Sequence, residues 1–511
     1  MKKVNRESIT IAIILLIAIS VRMWGINYDL PYVYHPDEPV YIIISQNIFK
    51  NGDLNPHFFN YPSLFFYINA LAYIPYYLFG KLIGVFDAPN NILPPISLAM
   101  GVTKAQMPTT VLLGRAVTIL FGTGTVLLTY FTGKQITNRT VAGVLAGLML
   151  AISPTNVWHS RLITPDTFVT FFAIAAFLAS LLVYRQGKNW QYSIAGICVG
   201  LTASTKYNGG IVVLPLILAH IFRYGKKSFT QPKLYLALFL CVVSFLVTTP
   251  YALLDSTEFW KDLKFEAQHY ATGHPGMEGN TLNWYLQYMG KTAGILYIFA
   301  VLEILRGIYS RSKEVILLSI FPVVYFAFIS SFVVRNDRTF LPLTPFLFLL
   351  SASFLIHLIS WVRELQSKGL RQLAITVVAC LSIAGFALPI SKTIADTVRL
   401  TTVNSRETAR VWINNNLPAE AKIAIESYSP FIDPSRFSVQ GFKRITDHVP
   451  KWYVEQGFDY LVFSEGMYGR FYRAPEQYKN EISQYENLFS RFDLVKIFTD
   501  GGYEIRVYRV K

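Results

Sequence analysis

Long apolar segments alternate with short polar loops through the first three quarters of the chain. About eleven of these segments approach the ~20 apolar residues that are needed to cross the hydrocarbon of a bilayer. The first begins at Ile9, and the others lie near residues 109–131, 140–158, 166–184, 190–205, 208–222, 234–252, 284–305, 314–334, 339–361 and 372–391. This pattern predicts an all-α polytopic membrane domain.

Charged residues in the loops predict how the segments are oriented. The loops on one side contain 17 basic and four acidic residues, whereas basic and acidic residues balance on the other side. Because basic residues accumulate in cytoplasmic loops, the first side is inside. Lys2, Lys3 and Arg6 precede a first segment that lacks the small residues of a cleavage site, so we expect a retained span with the N-terminus inside.

Residues 62–86 form one further apolar run whose assignment is ambiguous. A span there would invert every later loop and would spoil the charge pattern. The run contains Pro75 and many aromatic residues, which suit a helix that lies in the membrane interface. We therefore assign it to a long first external loop, residues 28–108, together with a shorter amphipathic helix near residues 39–50.

The pattern changes after Lys392, where long apolar segments end. Residues 397–416 and 476–489 are predicted to be helices, and short strands are predicted at residues 421–426, 460–463, 494–498 and 503–508. The chain is therefore expected to consist of a membrane domain, residues 1–395, and a small α/β extracytoplasmic domain, residues 396–511.

The composition supports a membrane protein and argues against a nucleic-acid-binding one. Of the 511 residues, 52% are hydrophobic and 15% are charged. The net charge of +15 arises mainly from the short inner loops, which is a signal of topology and not of a groove for nucleic acid. The three cysteines lie in apolar segments and form no spacing typical of zinc or disulfides.

Polar residues gather at five predicted outer positions: residues 35–38, 158–166, 206–208, 335–338 and 254–283. Asp37 and Glu38 are adjacent carboxylates near hydrocarbon, where an ionised group is costly. A general base, or a ligand for a metal and a lipid phosphate, would explain them, and a solvated loop acid is the alternative. The two cations Lys206 and Arg338 also have an alternative interpretation that involves no catalysis. Lys206 would extend its ammonium to the membrane interface, and Arg338 would pair with Asp337 or with a lipid phosphate.

Five stretches carry a resemblance to a known family. They are HPDEPVY with GDLNPHFFNYPSLFFY, LLGRAVTILFGTGTVLLTYFTGK, AISPTNVWHSRLITPDTFVTFF, GLTASTKYNGG and RTFLPLTPFL. In this order, over residues 1–360, the chain resembles the GT-C superfamily of polyprenyl-phosphate-sugar glycosyltransferases. The similar branch contains the protein O-mannosyltransferases and the aminoarabinose transferases. The last quarter resembles them only in forming a soluble outer domain.

The resemblance implies transfer of a sugar from dolichyl or undecaprenyl phosphate to an acceptor hydroxyl at the outer face of the plasma membrane. The family's first-loop acid falls on Asp37, the general base, and Glu38 would position the acceptor or a metal. The second-loop acid falls on Asp166. The phosphate and the rest of the substrate would be held by Lys206, Arg338, Arg161, His159 and Tyr61. The second loop lacks a DxD-type pair, so dependence on a divalent metal stays open.

Two further interpretations remain open at the level of the sequence. A transporter or flippase of a lipid-linked or anionic solute is the alternative class, although the polar residues cluster at outer ends and not near the midplane. A polymerase or ligase of surface polysaccharide is an alternative within glycosyl transfer. The acceptor is a lipid, a glycan or a protein. The sequence shows no convincing MIR-type insertion, which weakens the case for a protein acceptor.

Overall fold

The computed structural model describes residues 6–511, so Lys2 and Lys3 of the predicted inner terminus lie outside the described residues. The membrane domain is a bundle of helices. The first part contains α1 (Arg6–Met23), α2 (Glu38–Asn51), α3 (Leu64–Leu82), α4 (Pro108–Thr137), α5 (Thr140–Ala151), α6 (Pro154–His159), α7 (Pro165–Arg185), α8 (Asn189–Ala203) and α9 (Val213–Tyr224). The second part contains α10 (Pro232–Thr248), α11 (Tyr251–Leu254), α12 (Ser256–Thr272), α13 (Thr281–Thr292), α14 (Ile295–Tyr309), α15 (Lys313–Ser330), α16 (Asp337–Phe340), α17 (Thr344–Glu364) and α18 (Lys368–Leu400).

The polytopic all-α class is confirmed, but the count of about eleven spans is not. Within residues 6–511, six helices are long and apolar enough to cross a membrane, and α13 with α14, bent by 116°, makes a seventh if the pair is one span. Other predicted spans form shorter apolar helices, such as α5 and α10. Helix α5 is largely buried against α4, and α8 packs against both α7 and α10, whereas α10 buries only Leu234 and Ala237.

The ambiguous apolar run forms helix α3, which is not among the six candidate spans. One of its sides carries exposed apolar residues, including Leu71, Leu78, Phe79 and Leu82. The other side is buried against α2 and contributes Phe65 and Phe66 to a separate hydrophobic cluster. An exposed apolar side on a packed helix is what a position in the membrane interface requires, and the interfacial assignment stays a prediction.

The C-terminal part is a small α/β unit, as predicted. A five-stranded sheet contains β3 (Lys422–Glu426), β4 (Ser438–Phe442), β5 (Tyr460–Ser464), β6 (Asp493–Phe498) and β7 (Ile505–Arg509), in the order β4-β3-β5-β7-β6. Strands β4, β3 and β5 run parallel to one another. Strand β7 runs antiparallel to both of its neighbours, β5 and β6. Helices α19 (Ser405–Asn416), α20 (Pro450–Glu455), α21 (Glu465–Tyr472) and α22 (Lys479–Arg491) complete it.

A β-hairpin of the first external loop is packed against this sheet. The hairpin consists of β1 (Ile96–Ala99) and β2 (Val102–Lys104). A Cβ atom at Gly441 on edge strand β4 would lie 1.9 Å from the Leu98 carbonyl oxygen, so this close approach requires glycine. Val102 is fully buried in the core of the C-terminal unit. The first external loop and the C-terminal unit therefore share one hydrophobic core.

Candidate active site

The segment between α1 and α2 carries the predicted acids and is held by the hairpin. The Val33 amide donates to the Thr103 carbonyl at 2.9 Å, and the Ala105 amide donates to the Pro31 carbonyl at 2.8 Å. Asp37 then occupies the position just before α2, with Pro39 at the second helical position. Proline is well tolerated there because that amide has no partner within the helix. The strand-like segment and the helix start together fix where Asp37 lies.

Asp37 forms an ion pair with Arg338, which lies 301 positions later in the sequence in the short helix α16. The Asp37 side chain is 32% exposed, and the Arg338 side chain is 24% exposed. Burial alone would raise the pKa of Asp37, but the charge of Arg338, followed by that of His35, outweighs it and lowers this pKa. Asp37 is therefore ionised at neutral pH and partly exposed.

The short helix α16 that carries Arg338 is ordered by a cap. The Oδ1 atom of Asn336 accepts a hydrogen bond from the Thr339 amide at 2.8 Å. Asparagine is a preferred residue at this position because its side chain satisfies a free helix amide. The neighbouring Asp337 lies 3.3 Å from His159 Nε2. His159 is thus brought beside the Asp37–Arg338 pair through Asp337.

A second ion pair joins Lys206 to Asp166, with 2.8 Å between Nζ and Oδ1 and both side chains buried. Asp166 lies in the first turn of α7, where the helix dipole favours a negative charge. Burial lowers the pKa of Lys206, but the Asp166 carboxylate outweighs it and raises this pKa well above its usual value. Lys206 is therefore a buried, fully charged cation.

Aromatic hydroxyls surround this lysine. The Nζ atom lies 5.8 Å from the centre of the Tyr61 ring, and Tyr61, Tyr270 and Tyr325 all interact electrostatically with Lys206. The hydroxyls of Tyr270 and Tyr325 and the Oδ2 atom of Asp166 are buried and form no hydrogen bond in the structure. The two free tyrosine hydroxyls are donors near a cation and suit an anionic oxygen, whereas the free Asp166 oxygen is an acceptor.

Glu38 has a different environment from Asp37. Its carboxylate is fully buried and receives Arg115 Nε at 3.1 Å and Nη2 at 3.0 Å, and the Ile163 amide also donates to it at 3.0 Å. Burial alone would raise the pKa of Glu38, but Arg115 outweighs it and lowers this pKa. Both carboxylate oxygens are occupied, so Glu38 ties α2 to α4 and to the loop before α7.

Arg161 is not brought to either ion pair. Its Nε atom donates to the Arg22 carbonyl at 3.3 Å, and its Nη2 atom donates to the Thr397 hydroxyl at 2.8 Å. These bonds join the end of α1 to α18. The structure therefore places Arg161 in a contact between helices, a position that its proximity to Asp166 in sequence did not reveal.

No group of three or more His, Cys, Asp or Glu side chains within residues 6–511 is arranged to hold a metal ion. The carboxylates of the site are instead divided among cations. Asp37 faces Arg338, Glu38 faces Arg115, and Asp166 faces Lys206. Metal dependence stays an open question, since none of these pairs supplies a ready set of ligands.

Sequence reasoning did not include Arg115 or Asp337 among the candidate site residues, although it named Asp337 as an alternative partner of Arg338. The sequence indicated Arg115 as an arginine inside a predicted span, near its outer end, where an unpaired charge is costly. The missing information was its partner, since Glu38 is 77 positions away in sequence. Asp337 adjoins Arg338, and its contact with His159 is likewise long-range.

The buried pair of Glu38 and Arg115 generates a prediction about stability. We expect Glu38→Gln to lower the free energy of unfolding by about 3–5 kcal/mol, because it leaves a buried guanidinium without its counter-charge. Since the pKa of Glu38 is lowered, its stabilising effect is present above the usual carboxyl pKa and is lost as the pH falls through the lowered value. The variant should therefore lose less stability than the parent on acidification.

Urea or thermal unfolding of the purified protein in micelles measures both effects. Glu258→Gln is the matched control, because Glu258 pairs with Lys261 at 2.7 Å on an exposed helix surface. Exposed pairs contribute only about 0–1 kcal/mol. Equal losses in the two variants would contradict a structural role for Glu38.

Comparisons with known proteins agree on the fold. The family model described as dolichyl-phosphate-mannose-protein mannosyltransferase matches residues 100–260. ArnT from Cupriavidus metallidurans is similar in structure at a TM-score of 0.58 and 14% identity, over 98% of each chain. The Archaeoglobus fulgidus oligosaccharyltransferase is similar at a TM-score of 0.58 and 13% identity, over 100% of this chain and 75% of that one. No curated protein sequence matches. The chain therefore has the fold of these enzymes, and the predicted GT-C-like fold is confirmed.

Proposed function

We propose that this protein is a glycosyltransferase that moves a sugar from a polyprenyl phosphate to an acceptor hydroxyl at the outer membrane face. The observation that carries the proposal is the convergence of two ion pairs, Asp37–Arg338 and Lys206–Asp166. They come from four separate parts of the chain, and Tyr61 links them: its ring centre lies 5.8 Å from Lys206 Nζ and 5.9 Å from the ring of Tyr41, one turn after Asp37 in α2. A base and two cations at one place suit the transfer of a group from a phosphate.

The proposed donor class is supported by the ligands of two similar structures. ArnT from Cupriavidus metallidurans, with 14% identity and a TM-score of 0.54, is described as bound to undecaprenyl phosphate. The archaeal oligosaccharyltransferase AglB, with 12% identity and a TM-score of 0.56, is described in complex with a peptide and a dolichol-phosphate. We infer that a polyprenyl phosphate is also the carrier here. The transporter alternative gains no support from these comparisons.

The proposed reaction is a single displacement at the anomeric carbon of the donor sugar. The acceptor oxygen forms a bond to that carbon, and the bond from the carbon to the phosphate oxygen breaks with its electron pair leaving on the phosphate. The acceptor proton passes to the Asp37 carboxylate. Lys206 and Arg338 stabilise the additional negative charge on the leaving phosphate, where preorganised cations contribute most.

Arg338 connects the two halves of this reaction. In the structure it pairs with Asp37 and keeps the pKa of that carboxylate low, which makes Asp37 a weak base. A phosphate that shares Arg338 brings negative charge close to Asp37, and a nearby like charge raises the pKa of a carboxylate. Donor binding would then strengthen the base at the moment when it is needed.

The remaining predicted residues receive supporting roles in this proposal. Asp166 holds the Lys206 ammonium in place, and Tyr61 packs beside it. His159 lies 3.3 Å from Asp337, which adjoins Arg338, and places a titratable ring beside that acid. Glu38 fixes the segment that carries Asp37, and Arg161 joins α1 to α18. We therefore assign Glu38 and Arg161 to positioning and not to substrate contact.

The proposal requires the C-terminal unit to lie outside the cytoplasm of a multi-pass plasma-membrane protein. The charge pattern of the loops supports this orientation. We expect an alkaline phosphatase fused after Lys511 to be active and a fluorescent protein folded only in the cytoplasm to be dark. The opposite pair of signals would invert the topology and would remove the site from the outer face.

The second prediction concerns the two cations. We expect Lys206→Gln and Arg338→Gln each to weaken binding of undecaprenyl phosphate by about 10- to 150-fold, because a charge-assisted hydrogen bond contributes roughly 1.5–3 kcal/mol. Titration of the purified protein in nanodiscs measures this affinity. Lys261→Gln changes an exposed lysine of α12 and is the control.

Folding and binding can be separated at this site. Lys206→Gln alone leaves buried Asp166 without a counter-charge, whereas Lys206→Gln with Asp166→Asn removes both charges of the pair. The double variant should recover stability but not affinity for undecaprenyl phosphate. Recovery of both would mean that Lys206 acts only through the fold.

The third prediction concerns Asp37. Asp37→Asn preserves shape but removes the base, so we expect turnover to fall by about 10²-fold or more. Melting temperature should stay near wild type, and undecaprenyl phosphate should bind at least as tightly as it does to the wild type, because the variant lacks the carboxylate charge that repels the phosphate. Transfer can be followed by mass spectrometry of lipids and glycoconjugates from membranes with and without the protein. Asp53→Asn, an exposed acid of the same external loop, is the control.

If a folded Asp37→Asn protein transfers sugar at the wild-type rate, another group is the base. Asp166 would then be the next candidate, because its Oδ2 atom is free of hydrogen bonds in the structure. A variant that loses folding and activity together would instead identify Asp37 as a structural acid.

A further inference from the structure

Phe59 of the first external loop is held at both of its backbone polar groups by side chains from remote parts of the chain. Its amide donates to Asp262 Oδ2 of α12 at 2.7 Å, and its carbonyl accepts from the hydroxyl of Tyr207 at 2.8 Å. Residues 52–62 form no helix or strand, so these side chains supply bonds that regular secondary structure would otherwise provide. We call Phe59, Asp262 and Tyr207 the Phe59 clamp.

Aromatic rings pack around the clamp. The Phe259 ring of α12 lies 5.9 Å from the Phe59 ring and 5.9 Å from the Tyr207 ring, edge to face in both pairs. Phe59 is fully buried. One turn after Asp262 on α12, the Oε2 atom of Glu266 accepts from Asn60 Nδ2 at 3.2 Å. Since hydrogen bonds are stronger where water is excluded, the clamp holds this part of the loop firmly against α12.

The clamp joins two segments of the proposed donor site. Tyr207 directly follows Lys206, and Tyr61 comes two residues after Phe59. The centre of the Tyr61 ring lies 5.8 Å from Lys206 Nζ. The bond from Tyr207 to Phe59 therefore connects the turn that carries the buried cation to the segment that carries its aromatic neighbour.

The clamp acts on the site only through these two segments. Asp262 and Tyr207 each bond a backbone group, so both side chains are occupied by the chain itself. A second connection joins the same two segments, because the Leu64 amide donates to the Ser204 carbonyl at 3.2 Å. Tyr61 lies between the two connections in sequence. Without the clamp, the segment that carries the Tyr61 ring would be held from one end only.

We propose that Asp262 and Tyr207 are positioning residues of the donor site. By fixing Phe59, they hold the Tyr61 ring beside the Lys206 ammonium, where the donor phosphate is proposed to bind. This inference rests on the proposed function, because the phosphate is the group whose binding the clamp improves. Groups that are already in place lose less freedom when a ligand binds, and this raises its affinity.

Tyr207→Phe tests the clamp because it removes one hydroxyl and preserves the ring against Phe259. We expect undecaprenyl phosphate to bind this variant about 3- to 10-fold more weakly in nanodiscs, because one buried hydrogen bond is lost. Tyr235→Phe is the matched control. The Tyr235 hydroxyl also donates to a backbone carbonyl, that of Phe229, at 2.9 Å, but it is exposed at the start of α10. Equal weakening in the two variants would overturn the inference.

Asp262 is tested by two substitutions. Asp262→Ala removes the acceptor of the Phe59 amide, whereas Asp262→Asn keeps a side-chain oxygen that accepts from it. We expect the alanine variant to bind undecaprenyl phosphate about 3- to 10-fold more weakly and the asparagine variant to bind it as the wild type does. Asp459→Ala is the control, since Asp459 accepts the Lys422 amide at 2.7 Å in the C-terminal unit. Equal weakening by alanine and asparagine would contradict a role for the bond.

A double-variant cycle separates positioning from a general loss of structure. Tyr61→Leu removes the ring that the clamp positions, so the further change Tyr207→Phe should weaken binding of undecaprenyl phosphate no more. If the two losses add in full, the clamp acts elsewhere and the inference is wrong.

A failure of the proposed function has a different signature in these titrations. If the wild-type protein binds no undecaprenyl phosphate, the donor proposal fails and this inference fails with it. If the wild type binds it, and Tyr207→Phe and Asp262→Ala bind it equally well, the inference fails and the donor proposal stands.

Discussion

The bidentate ion pair between Glu38 and Arg115 determines where the proposed base lies. Two fully buried charges are expensive to remove from water, and they remain stable only while each satisfies the other. The pair therefore fixes three segments relative to one another. They are the start of α2, helix α4 at Arg115 and the loop at Ile163. Asp37, one residue before Glu38, inherits this fixed position and can stay ionised and partly exposed.

Adjacent acids in this protein have different environments because their partners differ. Glu38 is saturated by Arg115 and an amide, which leaves it no capacity for chemistry. Asp37 pairs with Arg338 and stays about a third exposed, 32%. The same division occurs at residues 337 and 338, where Asp337 faces His159 and Arg338 faces Asp37. Neighbours in sequence thus point to different sides of the site.

The C-terminal unit packs against the hairpin of residues 96–104 and is not a domain on a tether. Val102 of the first external loop is buried in the core of the C-terminal unit, and Leu98 contacts Gly441 so closely that only glycine fits. Arg406 then packs on Tyr34, one residue before His35. The C-terminal unit consequently contacts the segment that carries Asp37. Through this contact the unit helps to position the site.

The sequence by itself determined the polytopic class, the α/β character of the last quarter and the identity of Asp37, Lys206 and Arg338 as candidates. Apolar length, loop charge and strand alternation are local properties, so they can be read without a fold. Strand β4 was missed because it is a largely polar edge strand. The number of spans was not determined either, because several apolar runs that were predicted to be spans fold into helices of 12 to 17 residues, such as α5 and α10.

Only the tertiary structure decided which acid meets which cation. Glu38 and Arg115 are 77 positions apart, Asp37 and Arg338 are 301 apart, and Asp166 and Lys206 are 40 apart. The role of a buried charged group depends on its partner, since pairing sets its pKa, its cost and its freedom to contact a substrate. Residue type and spacing carry no record of such long-range pairing, and for this reason Arg161 and Glu38 could be assigned only from the folded chain.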